Sequence, residues 1–218
     1  MRKFVIGDIH GCCQALKDLI EKIDPQEEDI LIFLGDYIDR GKDSKEVIDY
    51  LLHLRGCCKL VFLMGNHESW MLDALGSEGV FSLWMVNGGR STILSYLGGK
   101  VKSDFSESDM PQEHVKFFKS LKLYYEDDKY ICVHGGVNPG IPMEMQRKEA
   151  LLWNRPEPGD EAGMKGKKVI VGHTPQLNPV KCKDMIFIDT GVCFSGYGYL
   201  TAVQLPEEEF IQVKRIEE

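Results

Sequence analysis

An α/β fold with mixed β-sheets flanked by helices is the class this sequence predicts, and three observations carry the expectation. Short continuous apolar runs (Phe4 to Ile6, Ile30 to Leu34, Leu60 to Met64, Tyr130 to Val133, Val169 to Val171) read as strands buried on both faces. Apolar stripes of helical period separate the early runs. Each run ends in Gly or His, or runs straight into one, and then meets residues of metal-binding type.

The elements follow in order. Leu16, Leu19, Ile20 and Ile23 lie on one helical stripe, and Val47, Ile48, Leu51 and Leu52 on a second, with Ser44 as its N-cap. The first half therefore reads βαβαβ. Residues 69–98 read as mostly helical and 103–110 as loop, after which Pro111 opens a helix carrying Val115, Phe117, Phe118 and Leu121. The Pro- and Gly-rich stretch 154–168 reads as a surface loop. Met185 to Ile188, Leu200 to Leu205 and the alternating Phe210 to Val213 return to β structure. With no repeat, linker or low-complexity tract, residues 1–218 are expected to form one domain.

Composition narrows the function. Hydrophobic residues make up 43% and charged residues 28%, which fits a globular chain and excludes a disordered one. A net charge of −8 argues against nucleic acid as a general partner. No apolar run approaches the ~18 residues of a membrane span, and a strand that starts so early leaves no room for a signal peptide. Seven cysteines is an odd number, and the adjacent pairs Cys12-Cys13 and Cys57-Cys58 lack the spacing of a zinc knuckle. Reduced thiols in a cytoplasmic protein are expected.

In open α/β sheets the loops at the carboxyl ends of strands gather at one edge. That would bring together Asp8, His10, Asp36, Asn66, His134 and His173. Carboxylate, amide and imidazole donors without sulfur suit moderately hard divalent metals. Asp8 and His10 are two apart, so in an extended segment both point the same way. Six ligands exceed what one catalytic zinc uses and suit two ions sharing a bridging carboxylate. Alone, each Asp would be a helix cap or turn residue and each His a structural one, but five strand ends would then have to coincide. His53 and His114 lie outside these motifs and read as ordinary helix residues.

The motifs Gly7-Asp8-Ile9-His10-Gly11, Gly35-Asp36-Tyr37-Ile38-Asp39-Arg40-Gly41, Gly65-Asn66-His67-Glu68, His134-Gly135-Gly136 and Gly172-His173-Thr174 appear in that order. Together they resemble the metallophosphoesterases, and most closely the phosphoprotein phosphatase family of Ser/Thr phosphatases in its compact bacterial and phage branch. The resemblance implies a calcineurin-like metallophosphoesterase sandwich. It also implies a metal-dependent phosphomonoesterase, a serine/threonine protein phosphatase in which a metal-bridging water attacks the phosphate ester directly. Its substrate would be a phosphorylated protein or peptide, or a small phosphoester. By the same resemblance Asp8 and His10 bind a first metal ion, Asp36 bridges both, and Asn66, His134 and His173 bind the second. His67 is the proton donor, Asp39 orients it, and Arg40 holds the phosphate beside Asn66. Arg155, in Leu152-Trp153-Asn154-Arg155-Pro156, matches a second phosphate arginine. The cofactors implied are two divalent ions, with manganese favoured and iron or zinc allowed.

Other readings compete. Many nucleases and cyclic-nucleotide phosphodiesterases of this superfamily end the motif series as Gly-His-x-His, whereas here Thr174-Pro175 follows His173. A symmetrical bis(5'-nucleosyl)-tetraphosphatase shares all five motifs, and Ile188 to Gly191 with Leu200 to Ala202 match that branch equally well. A longer chain is expected of that enzyme, so 218 residues favours the compact phosphatase. A non-catalytic metal-binding scaffold should lack a ligand or the acid, and none is lacking. Asp189-Thr190-Gly191 has the form of an aspartic protease motif, but that chemistry needs two facing carboxylates, so a strand-end turn is expected. Nearby Cys193, Phe194, Tyr197 and Tyr199 fit either core packing or a site wall.

Overall fold

The computed structural model describes residues 1–196 and 198–215, with the side chain of Glu78 excepted, so Tyr197 lies outside the described residues. Two five-stranded mixed sheets form its centre. The first takes β1 (Lys3–Ile6), β2 (Ile30–Phe33), β3 (Lys59–Phe62), β9 (Tyr199–Leu205) and β10 (Glu209–Lys214), in the order β10-β9-β1-β2-β3. The second takes β4 (Tyr124–Glu126), β5 (Tyr130–Val133), β6 (Lys168–Val171), β7 (Val180–Lys181) and β8 (Met185–Phe187), in the order β4-β5-β6-β8-β7. In each sheet three strands run parallel: β1, β2 and β3 in one, β5, β6 and β8 in the other.

Side-chain alternation explains the layering. Val5, Ile32 and Val61 of the first sheet pack on Cys132, Ile170 and Ile186 of the second, closing a core between the sheets. The intervening Phe4, Ile6, Leu31 and Phe33 point outward. There they meet Leu16, Leu19 and Ile23 of α1 (Cys13–Ile23) and Val47, Ile48 and Leu51 of α2 (Ser44–His53). On the other side, Ile131, Val133, Val169 and Val171 pack under Leu151 of α7 (Lys148–Trp153) and Met143. The central strands are thus buried on both faces, as their unbroken apolar sequence requires. Each fully buried side chain contributes about 1.5–3 kcal/mol.

The expected elements form, with local differences. The helical stretch divides into α3 (Asn66–Ala74), α4 (Glu78–Trp84), a π turn at Met85–Gly89 and α5 (Arg90–Tyr96). Pro111 immediately precedes α6 (Gln112–Lys119), and β4 and β7 were too short to stand out by pattern. Ser44 is not the N-cap of α2. Asp43 holds that place, and the Ser44 hydroxyl instead accepts the Asp39 N–H at 3.1 Å. His53 and His114 lie in helices, where buried His114 is held between Tyr96 Oη (2.8 Å) and Asp49 (3.0 Å). All seven cysteines are free. Among the described residues no helix is long and apolar enough to cross a membrane.

The loops after β2 and β3 touch with no room for a side chain between them. Gly35 has φ +110°, and a Cβ there would lie 2.3 Å from Gly65 N. Gly35→Ala should therefore reduce the unfolding free energy by about 2–6 kcal/mol, combining backbone strain with overpacking. Urea denaturation checks this, and an unchanged midpoint would contradict the close approach.

Candidate metal centre

All six parallel strands end at one edge, and the loops that leave them carry the candidate residues. His10, Asp36, Asp39, Arg40 and His173 have φ between +45° and +71°, a left-handed backbone. They make up five of the seven non-glycine residues in that region among the described residues. Each such conformation costs roughly 1–2 kcal/mol and persists only where surrounding structure imposes it.

Two compact groups result. His10, Asp36 and His67 form one, and Asp36, His134 and His173 the other, with donor atoms within 4.8 Å of one another in each. Asp36 is common to both: Oδ2 lies 3.3 Å from His10 Nε2, and Oδ1 lies 3.4 Å from His134 Nε2. Two ligands at right angles on an octahedral ion with ~2.1 Å bonds stand about 3.0 Å apart, so these spacings suit a shared ion. Asn66 Oδ1 is 2.8 Å from His134 Nε2. Asp8 falls outside both compact groups, and its two oxygens accept the His173 N–H at 3.2 and 3.0 Å.

The imidazoles are set up as ligands. His10 Nδ1 donates to the Ile38 carbonyl (2.9 Å) and His134 Nδ1 to that of Leu34 (3.1 Å). A carbonyl can only accept, so each Nδ1 carries the proton and each Nε2 presents a lone pair to the centre. Burial pushes His10 down to about 3 and lowers His134. Burial, reinforced by His134, also takes His173 to about 3. His173 Nε2 is buried without any hydrogen-bond partner among the described residues. In the absence of an ion, His134 Nε2 and Asn66 Oδ1 also face each other as two acceptors. A divalent cation satisfies all of these atoms, so the residues fit one. Burial opposes ionisation of Asp36, but the facing His134, His67 and His10 hold its carboxyl below the usual range.

His67 is tuned the other way. Burial disfavours its protonated form, but Asp36 and the hydrogen bond to Asp39 more than offset this and raise it. His67 Nδ1 lies 2.7 Å from Asp39 Oδ2. Asp39 is itself fixed by Trp84 Nε1 (2.9 Å) and by the Thr92 hydroxyl (2.6 Å). Arg40 Nη2 is 3.3 Å from His67 Nε2. With His67 protonated, both atoms carry N–H and converge on one space, where an anion would relieve their repulsion. Among the described residues Arg40 has no carboxylate within ion-pair distance. Its guanidinium instead meets Cys193 Sγ (3.9 Å) and the Phe194 ring (5.9 Å to the centroid). Cys193 and Phe194 therefore line the site, while Tyr199 belongs to β9.

Arg155 is exposed on the loop after α7, close enough for its charge to bear on His134, His173 and Asp189. Trp84 and Thr92 carried no sequence signal, because they act through contacts made across distant segments. Glu68 closes the Gly65-to-Glu68 motif, whose pattern alone gives it no function. It is fully buried and accepts four backbone N–H groups. Gly65 (3.0 Å) and Asp36 (2.9 Å) donate to Oε2, and Tyr37 (2.8 Å) and Ile38 (3.3 Å) to Oε1.

Comparison with known proteins agrees with this geometry. Residues 1–200 match the model of the calcineurin-like phosphoesterase family. An asymmetrical bis(5'-nucleosyl)-tetraphosphatase, PrpE of Halalkalibacterium halodurans, is 27% identical, covering 96% of this chain and 92% of its own. Serine/threonine-protein phosphatase 1 of Salmonella typhimurium is 31% identical, covering 92% and 91%. A crystal structure of a candidate diadenosine tetraphosphatase superposes with a TM-score of 0.74 at 20% identity, covering 100% of this chain and 95% of that one.

Removing the Glu68 carboxylate strands four buried N–H donors, each costing about 1–3 kcal/mol. Glu68→Ala should therefore destabilise the protein by at least about 3 kcal/mol in urea unfolding. A loss below about 1 kcal/mol would show that water or a rearranged loop replaces the carboxylate.

Proposed function

The chain belongs to the calcineurin-like phosphoesterase family of hydrolases, and from that premise we propose that it is a metal-dependent phosphomonoesterase acting on phosphoserine and phosphothreonine in proteins. The observation that carries this reading is the Asp39–His67–Arg40 arrangement, which holds His67 by Nδ1 and sets its Nε2 toward Arg40 at the edge of the His10 and Asp36 group. Asp8, His10 and Asp36 would hold a first ion, and Asp36, Asn66, His134 and His173 a second, with manganese the expected metal. When bound, two divalent ions supply positive charge for the phosphoryl oxygens and lower the pKa of a water.

The chain's own residues do the rest. Arg40, unpaired with any described carboxylate, offers its fork to phosphate oxygens, with exposed Arg155 as a second arm and Asn66 beside them. His67, held by Asp39 with Nε2 toward Arg40, gives a proton to the departing oxygen. A serine alkoxide is strongly basic and leaves poorly without that proton, so the raised His67 suits a phosphoserine ester. The Salmonella protein phosphatase supports the same substrate class.

A second reading is dinucleoside tetraphosphate hydrolysis. It is favoured by the near full-length match to the asymmetrical enzyme of Halalkalibacterium halodurans. Because 92% of that enzyme is covered, chain length does not separate the two readings, contrary to the expectation drawn from the symmetrical enzyme. Assaying phosphoserine peptides and diadenosine tetraphosphate side by side with manganese decides between them. Turnover of the dinucleotide alone would reject the phosphatase proposal.

His67→Asn should cut kcat about 10²–10⁴-fold on a phosphoserine peptide and markedly less on nitrophenyl phosphate, whose leaving group hardly needs a proton. Equal losses where chemistry limits the rate would make His67 a positioning group instead. Arg155→Ala should raise KM for several phosphomonoesters and weaken inhibition by free phosphate, leaving metal content unchanged. A wild-type inhibition constant for phosphate would place Arg155 outside the site.

A further inference from the structure

Four buried carboxylates at the strand-end edge, Asp8, Asp36, Asp39 and Glu68, have roles in the account above. A fifth, Asp189, does not. It is 4% exposed and follows Ile188 at the end of β8. The protease-like triplet Asp189-Thr190-Gly191 is, as expected, a turn: Gly191 N–H donates to Asp189 Oδ1 at 2.9 Å. That bond occupies one oxygen, and no described protein donor reaches the other.

Three contacts place Asp189 in the corner beside Asp8. A Cβ on Gly7 would lie 2.6 Å from the Ile188 carbonyl oxygen, so the ends of β1 and β8 meet backbone to backbone where the two sheets join. The next residues of the two strands, Asp8 and Asp189, therefore emerge side by side. Second, His173 N–H donates to both Asp8 oxygens, which brings Thr174 to the same corner. Third, Gln176 N–H donates to the Asp189 carbonyl at 3.0 Å and keeps residues 174–176 alongside Asp189. The Thr174 hydroxyl is buried there with no hydrogen-bond partner among the described residues.

Two buried carboxylates side by side repel, and a cation between or beside them removes the penalty. After burial itself, Asp189 is the neighbour that most opposes ionisation of Asp8. Arg40 favours ionisation of both but forms no ion pair with either.

We propose that Asp189 is a positioning residue for the ion held by Asp8 and His10. Its second oxygen, with the Thr174 hydroxyl, faces that ion's shell and accepts hydrogen bonds from water within it. The proposal rests on the two-ion reading above. It makes the two positions unequal: one has Asp8, Asp36 and a single imidazole with Asp189 beside them, while the other has Asp36, an amide and two imidazoles. Oxygen-rich, more negative surroundings favour a harder cation, manganese over zinc.

Manganese and zinc binding to the metal-stripped full chain, followed by calorimetry and elemental analysis, tests this without any assay of turnover. Asp189→Asn should weaken one manganese equivalent about 10–100-fold, with zinc affected less and the second equivalent unchanged. Thr174→Val should weaken the same equivalent by a smaller factor. If Asp189→Asn does not fold, this shape-conserving variant carries the test. In a His134→Ala background the effect of Asp189→Asn should persist on the remaining ion, and in His10→Ala it should vanish. Unchanged manganese affinity in Asp189→Asn, or a loss confined to the ion that survives His10→Ala, overturns the proposal. If neither histidine variant loses an ion, the two-ion reading is what fails, and the role of Asp189 falls with it.

Discussion

One carboxylate, that of Glu68, fixes where the centre lies. Its two oxygens take the N–H groups of Gly65, Asp36, Tyr37 and Ile38, which joins the loop after β2 to the start of α3. Asp36 returns the tie by accepting the His67 N–H at 3.1 Å. Asp36 and His67 are therefore braced together, the first through its own N–H on Glu68 and the second through its N–H on Asp36. Glu68 sits at zero exposure, where an unmet donor or acceptor is expensive, so the arrangement is held all together or not at all.

That brace works because the strands beneath it do not give. The parallel strands of both sheets are packed on both faces, and such interiors are close-packed and resist compression. The rigid layers offset the cost of left-handed backbone at His10, Asp36, Asp39, Arg40 and His173. Those conformations turn the side chains back over the sheet edge instead of letting them follow the strand outward. Gly35 and Gly65 let adjoining loops come close enough for Asp36 to reach histidines from both sheets.

Burial then sorts four histidines into two chemical kinds. His10, His134 and His173 lose the protonated form and present lone pairs, which is the state a metal ligand needs. His67 has Asp36 and Asp39 close by and keeps its proton more readily. In a chain of net charge −8, an anionic substrate is drawn by local charge: the ions the centre is fitted for, and Arg40 with its open fork.

By itself the sequence determined the layered α/β class, the strand-end position of Asp8, His10, Asp36, Asn66, His134 and His173, and the phosphoesterase family. These follow from local information: unbroken apolar runs, helical stripes, and motifs whose residues are neighbours in the chain. Tertiary structure decided what those residues touch. Trp84 and Thr92 reach Asp39 from 45 and 53 residues away, Ser44 turns from a cap into a support for Asp39, and Gly7, just before Asp8, meets Ile188, just before Asp189, where two sheets join. No spacing rule encodes such contacts, because they depend on how the layers pack and on which backbone groups are left to be satisfied. The placement of Cys193 and Phe194 belongs with them, since only the folded loop sets these side chains against Arg40.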